Sequence, residues 1–329
     1  MIVPAAPFLA GGLAVASLVL ASPVSALLAK ASWTRRAPRA ALVLWQSVCL
    51  SAGLCLIGAG FVIALEPLGH NIFDASAAWF GRLWSGRALV GMTGHGIITG
   101  TLSTAAALIL FGVLIRSTVL TVRRRGAHRL LLDLLTGDRG PDPSGARPGP
   151  EIDDLLSDVR ILDHASAVAY TLPGWHSRVV LSAGMVNLLA RAELVAVIDH
   201  EKAHVRSRHD LLVLPFQAWG TAVGWLPGVR AAADSVAELT EMLADDWAAS
   251  RSSPSTLAKA LATVALAGVS RNAGVAGSQT PAVASRSVAA RVERLRHPRP
   301  LSTWALTCVY VVALLLLAVP ALSLTVGWS

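Results

Sequence analysis

Four long apolar runs constrain this chain more than any other feature of its sequence. They cover residues 2–28, 40–65, 91–115 and 301–326. A helix needs about 20 apolar residues to cross the hydrocarbon core of a bilayer, and each run reaches that length. The sequence therefore predicts a multi-pass membrane protein with four transmembrane helices.

The overall composition agrees with this prediction. Of the 329 residues, 54% are hydrophobic and 15% are charged, whereas roughly 25% are charged in an ordinary soluble domain. The mean hydropathy is +0.58. This composition excludes a disordered chain, which would be polar, and it leaves too few charges to cover the surface of a fully soluble protein.

Positive charge lies beside the apolar runs and indicates how they are oriented. The flanking residues are Lys30, Arg35, Arg36 and Arg39, then Arg116, Arg123, Arg124, Arg125 and Arg129, and finally Arg286, Arg291, Arg294, Arg296 and Arg299. The positive-inside rule assigns these flanks to the cytosol of a cell-membrane protein, with the N- and C-termini outside. The net charge of +8 could also indicate nucleic acid binding. Because the arginines lie beside apolar runs, we favour a topology signal and expect no direct contact with nucleic acid.

The chain divides into four parts on this basis. Residues 1–115 form a membrane domain with three transmembrane helices, and 116–150 form a basic segment followed by a flexible linker rich in Gly, Pro and Asp. Residues 151–299 form a cytosolic domain, and 301–326 form the fourth transmembrane helix. The β-prone runs 168–172 and 178–181 predict a hairpin, so we expect a mostly α-helical protein with a small α+β domain.

One apolar stretch inside the cytosolic domain allows two interpretations. Residues 211–227 are apolar, but they number only 17 and are interrupted by Pro215 and Gly220. The stretch could dip into the bilayer, although its length favours a buried helical hairpin.

The motif that carries chemistry is His200-Glu201-Lys202-Ala203-His204. Residues four apart on a helix project about 40° apart around its axis, so the two imidazoles face one point. At this spacing they can bind Zn²⁺, and Glu201 can take a proton from water beside the metal. The alternative is a pair of solvated histidines on a surface helix. Chance placement of the 9 His and 7 Glu of this chain would produce the motif only roughly 0.005 times.

The third metal ligand must come from elsewhere, because a catalytic zinc usually has three protein ligands and one open position. Glu238 and Glu241 lie three residues apart and share one face of a predicted helix, so the residues alone leave both open. Asp245 follows Glu241 by four residues and can orient a zinc-bound histidine. The alternative is an amphipathic helix with a solvated acidic face. His209 has no partner at a ligand spacing, so we expect it to be structural.

Together these motifs resemble the BlaR/MecR family of membrane-embedded antirepressor metallopeptidases, which are gluzincins. The resemblance rests on the HExxH motif with the basic stretch after it, the apolar hairpin, the ExxxD pattern, and the segments 167–189 and 291–295. It therefore covers nearly the whole chain. The residues that it assigns are His200, His204 and Glu241 as ligands of one Zn²⁺ per chain, Glu201 as the general base, Asp245 as the partner of a zinc-bound histidine, and Asp210 as a structural polar anchor.

The resemblance also implies a function. It implies a cytosolic gluzincin domain that hydrolyses peptide bonds, with a BlaI/MecI-type transcriptional repressor as the protein substrate in a signalling pathway. Few residues follow the fourth apolar run, so we expect no C-terminal penicillin-binding sensor domain. The alternatives are an HtpX-like quality-control peptidase and a non-catalytic zinc-containing receptor or scaffold, which would have no need for Glu201.

Overall fold

The computed structural model describes residues 5–135, 159–172, 178–272 and 281–327. The predicted linker at 136–150 and the turn of the predicted hairpin, residues 173–177, lie outside these ranges. The chain forms two compact units. The membrane unit comprises Met1–Ser117, Leu214–Val236 and Leu301–Ser329, and the sheet unit comprises Thr118–Val213 and Ala237–Pro300.

Twelve α-helices are defined within the described residues. They are α1 (Ala5–Val19), α2 (Ser25–Lys30), α3 (Pro38–Leu65), α4 (Ile72–Trp84), α5 (Gly94–Leu135), α6 (Ala183–Leu188), α7 (Arg191–Arg206), α8 (His209–Val223), α9 (Val229–Arg251), α10 (Pro254–Asn272), α11 (Pro281–Arg296) and α12 (Thr303–Thr325). A π-helical turn, Leu20–Val24, joins α1 to α2 and contains Pro23. Short 3₁₀ turns precede and follow α3, at Ser32–Arg36 and Glu66–Leu68.

Four helical stretches of the described chain are long and apolar enough to cross a membrane. They are Ala5–Lys30, Pro38–Leu68, Gly94–Leu120 and Thr303–Thr325. The prediction of four long apolar helices is therefore confirmed, while their orientation stays a prediction. The third stretch differs from expectation, because α5 continues past it through the arginine-rich flank to Leu135.

Small side chains and hydroxyls pack the helices of the membrane unit together. Ala6 and Ala10 of α1 belong to one buried cluster with Ala59 and Val62 of α3. The Ser17 hydroxyl donates a hydrogen bond to the Ala52 carbonyl at 2.9 Å. Small residues let helix backbones approach closely where lipid supplies no hydrophobic driving force between helices.

The sheet unit contains a three-stranded sheet in the order β1-β3-β2. Strand β1 (Val159–Leu162) pairs in parallel with β3 (Arg178–Ser182), and β2 (Ala169–Leu172) pairs antiparallel with β3 in the register Ala169 to Leu181. The antiparallel β2–β3 pair confirms the predicted hairpin. Among the described residues, β2 stands at one edge of the sheet.

Two apolar clusters fix the helix that carries the HExxH motif. Val197 and Ile198 of α7 pack with Leu181 of β3. On another side of α7, Ala196 packs with Leu257 of α10 and with residues of α9 and α11. His200 and Glu201 follow Ala196 and Val197 by four residues, so the polar motif continues the packed sides of α7 one turn further along the helix.

Candidate active site

The start of α7 is held by one buried glutamate. Glu193 accepts a hydrogen bond from the Ala190 backbone N–H at 3.2 Å, which satisfies a free donor of the first helical turn. Its other oxygen lies 2.7 Å from Lys259 Nζ on α10. The hydrogen bond and charge of Lys259 lower the pKa of Glu193 against the opposing effect of burial. These contacts hold the start of α7, and Glu193 lies about two turns before His200.

The structure brings His200, His204 and Glu241 together. The two imidazole Nε2 atoms lie 3.3 Å apart. Glu241 on α9 places Oε2 3.4 Å from His200 Nε2 and Oε1 3.3 Å from His204 Nε2. Each residue therefore directs one candidate ligand atom at a common point.

These distances fit a zinc ion. Ligand atoms about 2.1 Å from a tetrahedral ion lie about 3.4 Å from one another. The two Nε2 atoms are separated by this distance, and each lies at this distance from a different oxygen of Glu241. Two imidazoles and one carboxylate are also a ligand set that zinc accepts, and three ligands leave one position open. His200, His204 and Glu241 can thus hold a catalytic metal, whereas Glu238 does not belong to this group.

Asp245 lies behind His200, one turn after Glu241. Its carboxylate is fully buried, and Oδ1 is 3.0 Å from His200 Nδ1. The two atoms are at hydrogen-bond distance, but the angle between them is not that of a hydrogen bond. The contact is therefore a close electrostatic one. Burial alone would lower the pKa of His200, but the carboxylates of Asp245 and Glu241 raise that pKa to about 9.

Arg291 of α11 completes this buried network. Its Nε and Nη2 atoms donate to the two carboxylate oxygens of Asp245, both at 2.7 Å, and Nη1 lies 3.0 Å from Glu241 Oε2. Burial by itself would raise the pKa of both carboxyl groups. The guanidinium and His200 outweigh burial and hold each pKa at about 2, so both groups are negatively charged at neutral pH.

The sequence did not predict this contact of Arg291, which entered only as a topology signal and as the first residue of the segment 291–295. A usable signal was present. Arg291 lies four residues before Leu295, a buried residue of the same helix, so it occupies the core-facing side of α11. An arginine in such a position requires a buried acidic partner.

His209 was expected to be structural, but it contacts a candidate ligand. Its Nδ1 atom lies 3.1 Å from His204 Nδ1, and the side chain is buried. Burial, with a further contribution from His204, lowers the pKa of His209 to about 4, so its ring is neutral at pH 7. If His204 binds a metal through Nε2, its Nδ1–H can donate to His209. Asp210, the next residue, lies in the first turn of α8 and is not one of the three candidate ligands.

Glu201 is positioned by a strand rather than by the ligands. The Thr171 hydroxyl of β2 lies 2.9 Å from Glu201 Oε2 and 3.0 Å from the Glu201 carbonyl oxygen. The hydrogen bonds of Thr171 therefore connect the edge strand β2 to α7 at Glu201, the residue next to His200. A carboxylate so held can exchange a proton with water or substrate beside the metal position.

Residues 156–276 match the model of Peptidase family M48. The protein is a metallopeptidase. The matched segment contains the HExxH motif and Glu241 and supports membership in the M48 metallopeptidase family. No curated protein and no solved structure matches the chain significantly.

Proposed function

We propose that this M48 metallopeptidase is an integral membrane zinc endopeptidase that cleaves a cytosolic protein. The observation that carries the proposal is the convergence of His200, His204 and Glu241 at mutual distances of 3.3–3.4 Å. The M48 match independently indicates the reaction class. The four apolar helices support association with the bilayer.

The chemistry divides between the metal and the protein. A zinc ion bound by the three ligands would supply a Lewis acid that makes water more acidic and polarises the carbonyl of the scissile bond. Glu201 accepts the proton of the attacking water on its carboxylate and later delivers it to the nitrogen of the leaving amine. The O–H bond of water and the C–N bond of the peptide break, and a carboxyl group and an amine form.

Three neighbours keep these groups in position. Thr171 donates to Glu201 and fixes the carboxylate orientation. Asp245 fixes the ring of His200 and is itself held by Arg291. Partners of this kind orient metal ligands and raise their affinity for the metal. Because β2 stands at the sheet edge among the described residues, an extended peptide can add beside it as a further strand.

The catalytic test compares Glu201→Gln with the unchanged enzyme. Glutamine keeps the size of the side chain but cannot accept the proton, so we expect full zinc content and loss of peptide cleavage. Lys202→Ala is the matched control, because Lys202 is the next residue and is exposed. Cleavage by Glu201→Gln at the rate of the control would overturn the role of Glu201.

For the substrate we propose a BlaI/MecI-type repressor, on the resemblance described above. Purified enzyme in vesicles should cut such a repressor at one position and leave an unfolded membrane protein intact. Broad cleavage of the unfolded protein with an intact repressor would instead favour an HtpX-like quality-control peptidase. Zinc binding without cleavage of either would favour the non-catalytic receptor or scaffold.

The proposed topology places both termini outside and the sheet unit in the cytosol. The support is the set of arginine-rich flanks. Single cysteines at the exposed positions Ser85 and Ser250, in a background without Cys49, Cys55 and Cys308, provide the test. A membrane-impermeant maleimide added to intact cells should label Ser85→Cys and not Ser250→Cys, and the reverse pattern would invert the topology.

A further inference from the structure

A cavity of about 610 Å³ lies among α3, α4 and α5 in the membrane unit. Its volume is that of a ligand pocket, which typically measures about 300–1,000 Å³. The lining comes from the end of α3, from α4, from the loop before α5 and from α5 itself. None of the described residues that line it is charged.

The three helices around this cavity are held by close contacts to α3. A Cβ at Gly100 of α5 would lie 2.9 Å from the Cβ of Ala64, and a Cβ at Gly60 of α3 would lie 2.8 Å from the Thr99 carbonyl oxygen. Helix α4 packs on α3 through Ala75, which is fully buried in the cluster that contains the end of α3. Because α3 packs against both other helices, these contacts set the shape of the cavity.

The lining suits an apolar ligand. The Thr101 hydroxyl donates to the Ile97 carbonyl of its own helix at 2.7 Å, and Thr104 bonds in the same way to the carbonyl four residues earlier at 2.8 Å. Ser76 and Trp79 of α4 supply the other polar side-chain atoms of the lining. A water molecule occupies about 30 Å³ in the liquid and makes about three hydrogen bonds, so two side chains cannot satisfy the water that would fill this volume.

The length of the cavity matches one acyl chain. The lining residues of α5 run from Ile97 to Leu108 and share one face of the helix. Leu108 follows Ile97 by 11 residues, which at a rise of about 1.5 Å per residue is about 16 Å. One leaflet forms half of the hydrocarbon core, about 15 Å, so an extended acyl chain of that leaflet has about the same length.

The surroundings of the cavity supply such chains. Helices α3 and α5 belong to the stretches Pro38–Leu68 and Gly94–Leu120, which are long and apolar enough to cross a membrane. The molecules beside such helices are the lipids of the bilayer. Phe80 and Leu108 at the edge of the cavity are 61% and 69% exposed, so a chain can enter between them from the bilayer.

A cation lies at the end of the cavity where α5 begins. Arg82 of α4 donates a hydrogen bond through Nη1 to the Val90 carbonyl. Val90 lies between Leu89 and Met92, which both line the cavity and precede α5. A guanidinium has five N–H donors, and this bond uses one of them. Arginine binds phosphate oxygens well, so the phosphate of a lipid fits at this end.

We propose that the cavity binds one phospholipid of the bilayer, with an acyl chain along α5 and the phosphate at Arg82. The inference rests on the membrane spans and is independent of the peptidase reaction. The bound chain fills the space between α4 and α5, so the packing of α4 beside the span α5 depends on lipid.

The test counts the phospholipid that the purified full chain retains. The protein is depleted of lipid in detergent, incubated with phosphatidylglycerol and analysed by native mass spectrometry. Ala105→Trp fills the cavity from α5 and Ser76→Phe fills it from α4, since both positions line it. Leu102→Trp is the control, because Leu102 is 64% exposed on α5 and lies outside the lining.

We expect the unchanged protein and Leu102→Trp to retain one phospholipid per chain and both cavity-filling variants to lose it. Circular dichroism shows whether a variant keeps the helix content of the unchanged protein. If one cavity-filling variant does not, the other, which acts from the opposite wall, decides. Retention by the folded variant at the level of the control would overturn the proposal, as would loss of lipid from the unchanged protein.

Arg82→Gln tests the phosphate end of the site. Glutamine keeps a donor for the Val90 carbonyl but carries no charge, so we expect retention to weaken about tenfold, as for the loss of one hydrogen bond to a charged group. Arg87→Gln, exposed between α4 and α5, is the control and should retain the lipid. Equal retention by the two glutamine variants would overturn the role of Arg82. Retention of diacylglycerol, which lacks the phosphate, as firmly as phosphatidylglycerol would overturn it too.

Discussion

The two units of the molecule bury polar groups in opposite ways. In the membrane unit, buried Ser17 and Ser51 each donate one hydrogen bond to a backbone carbonyl of another helix, at 2.9 and 2.7 Å. In the sheet unit, the buried polar groups include Asp245 and Arg291, which are charged and joined by two hydrogen bonds. A hydroxyl is satisfied by a single acceptor, whereas a buried charge requires a complete set of partners.

The buried polar groups named for the membrane unit hold helices together, whereas those named for the sheet unit lie against the candidate metal ligands. The serine contacts of the membrane unit can each be lost without leaving a buried charge. In the network of the sheet unit, removal of either Arg291 or Asp245 leaves the opposite charge buried without its partner. Substitutions in the two units test this contrast.

Removal of Arg291 should have the largest effect. Arg291→Leu leaves the buried carboxylate of Asp245 without its cation, which typically costs about 3–5 kcal/mol. We expect that loss in the free energy of unfolding, together with loss of bound zinc. The control is Arg294→Leu on the same helix, whose partner Asp246 is exposed, and which should cost less than about 1 kcal/mol. Equal losses of unfolding free energy and of bound zinc in the two variants would contradict this role of Arg291.

The contact between His209 and His204 should set the zinc affinity. His209→Leu removes the acceptor of the His204 Nδ1–H, and loss of such a partner typically weakens metal binding about 10- to 100-fold. His209→Asn can keep an acceptor at that position and should retain most of the affinity. Competition with a chelator of known affinity measures both variants. If leucine and asparagine behaved alike, His209 would act only by filling space.

The Thr171 hydroxyl should affect turnover rather than metal binding. Thr171→Val keeps the shape but removes the donor to Glu201, and we expect kcat to fall about tenfold, as for the loss of one hydrogen bond to a charged group. Zinc content should not change, because the hydrogen bonds of the Thr171 hydroxyl run to Glu201 and not to a candidate ligand. Thr171→Ser restores the hydroxyl and should restore kcat. A serine variant as slow as the valine variant would contradict this role.

The smallest effect is expected in the membrane unit. Ser17→Ala removes one interhelical hydrogen bond, and such bonds contribute about 0.6 kcal/mol in membrane proteins. Ser47→Ala is the control, because its hydroxyl bonds to Val43 of its own helix. Reversible unfolding in mixed detergent micelles measures both. A loss of unfolding free energy in Ser17→Ala as large as that in Arg291→Leu would contradict the difference between the two units.

The sequence predicted the parts of the fold that depend on local pattern. The four apolar helices follow from length and hydropathy, and the β2–β3 hairpin follows from two β-prone runs around a turn. The parallel strand β1 has only four residues and pairs with a strand about 20 residues away. Its pairing is not encoded in its own short pattern.

The candidate site, too, could be predicted only where local spacing along one helix determines the geometry. The spacing of His200 and His204 defines their common direction on one helix, so the sequence alone predicted that pair. The choice between Glu238 and Glu241 depends on how α9 is rotated against α7, which spacing does not determine. The pair of Arg291 with Asp245 spans 46 residues. Residues 211–227 stayed ambiguous because length alone does not reveal what a short apolar hairpin packs against.

The most direct test of the account is the zinc content of two glutamate variants of α9. The central claim is a metal centre built from His200, His204 and Glu241, so Glu241→Gln should lose most of its bound zinc. Glu238→Gln, three residues away on the same helix, should retain about one zinc per chain, the number expected for a single three-ligand site. Loss of zinc from Glu238→Gln with full retention in Glu241→Gln would contradict the claim.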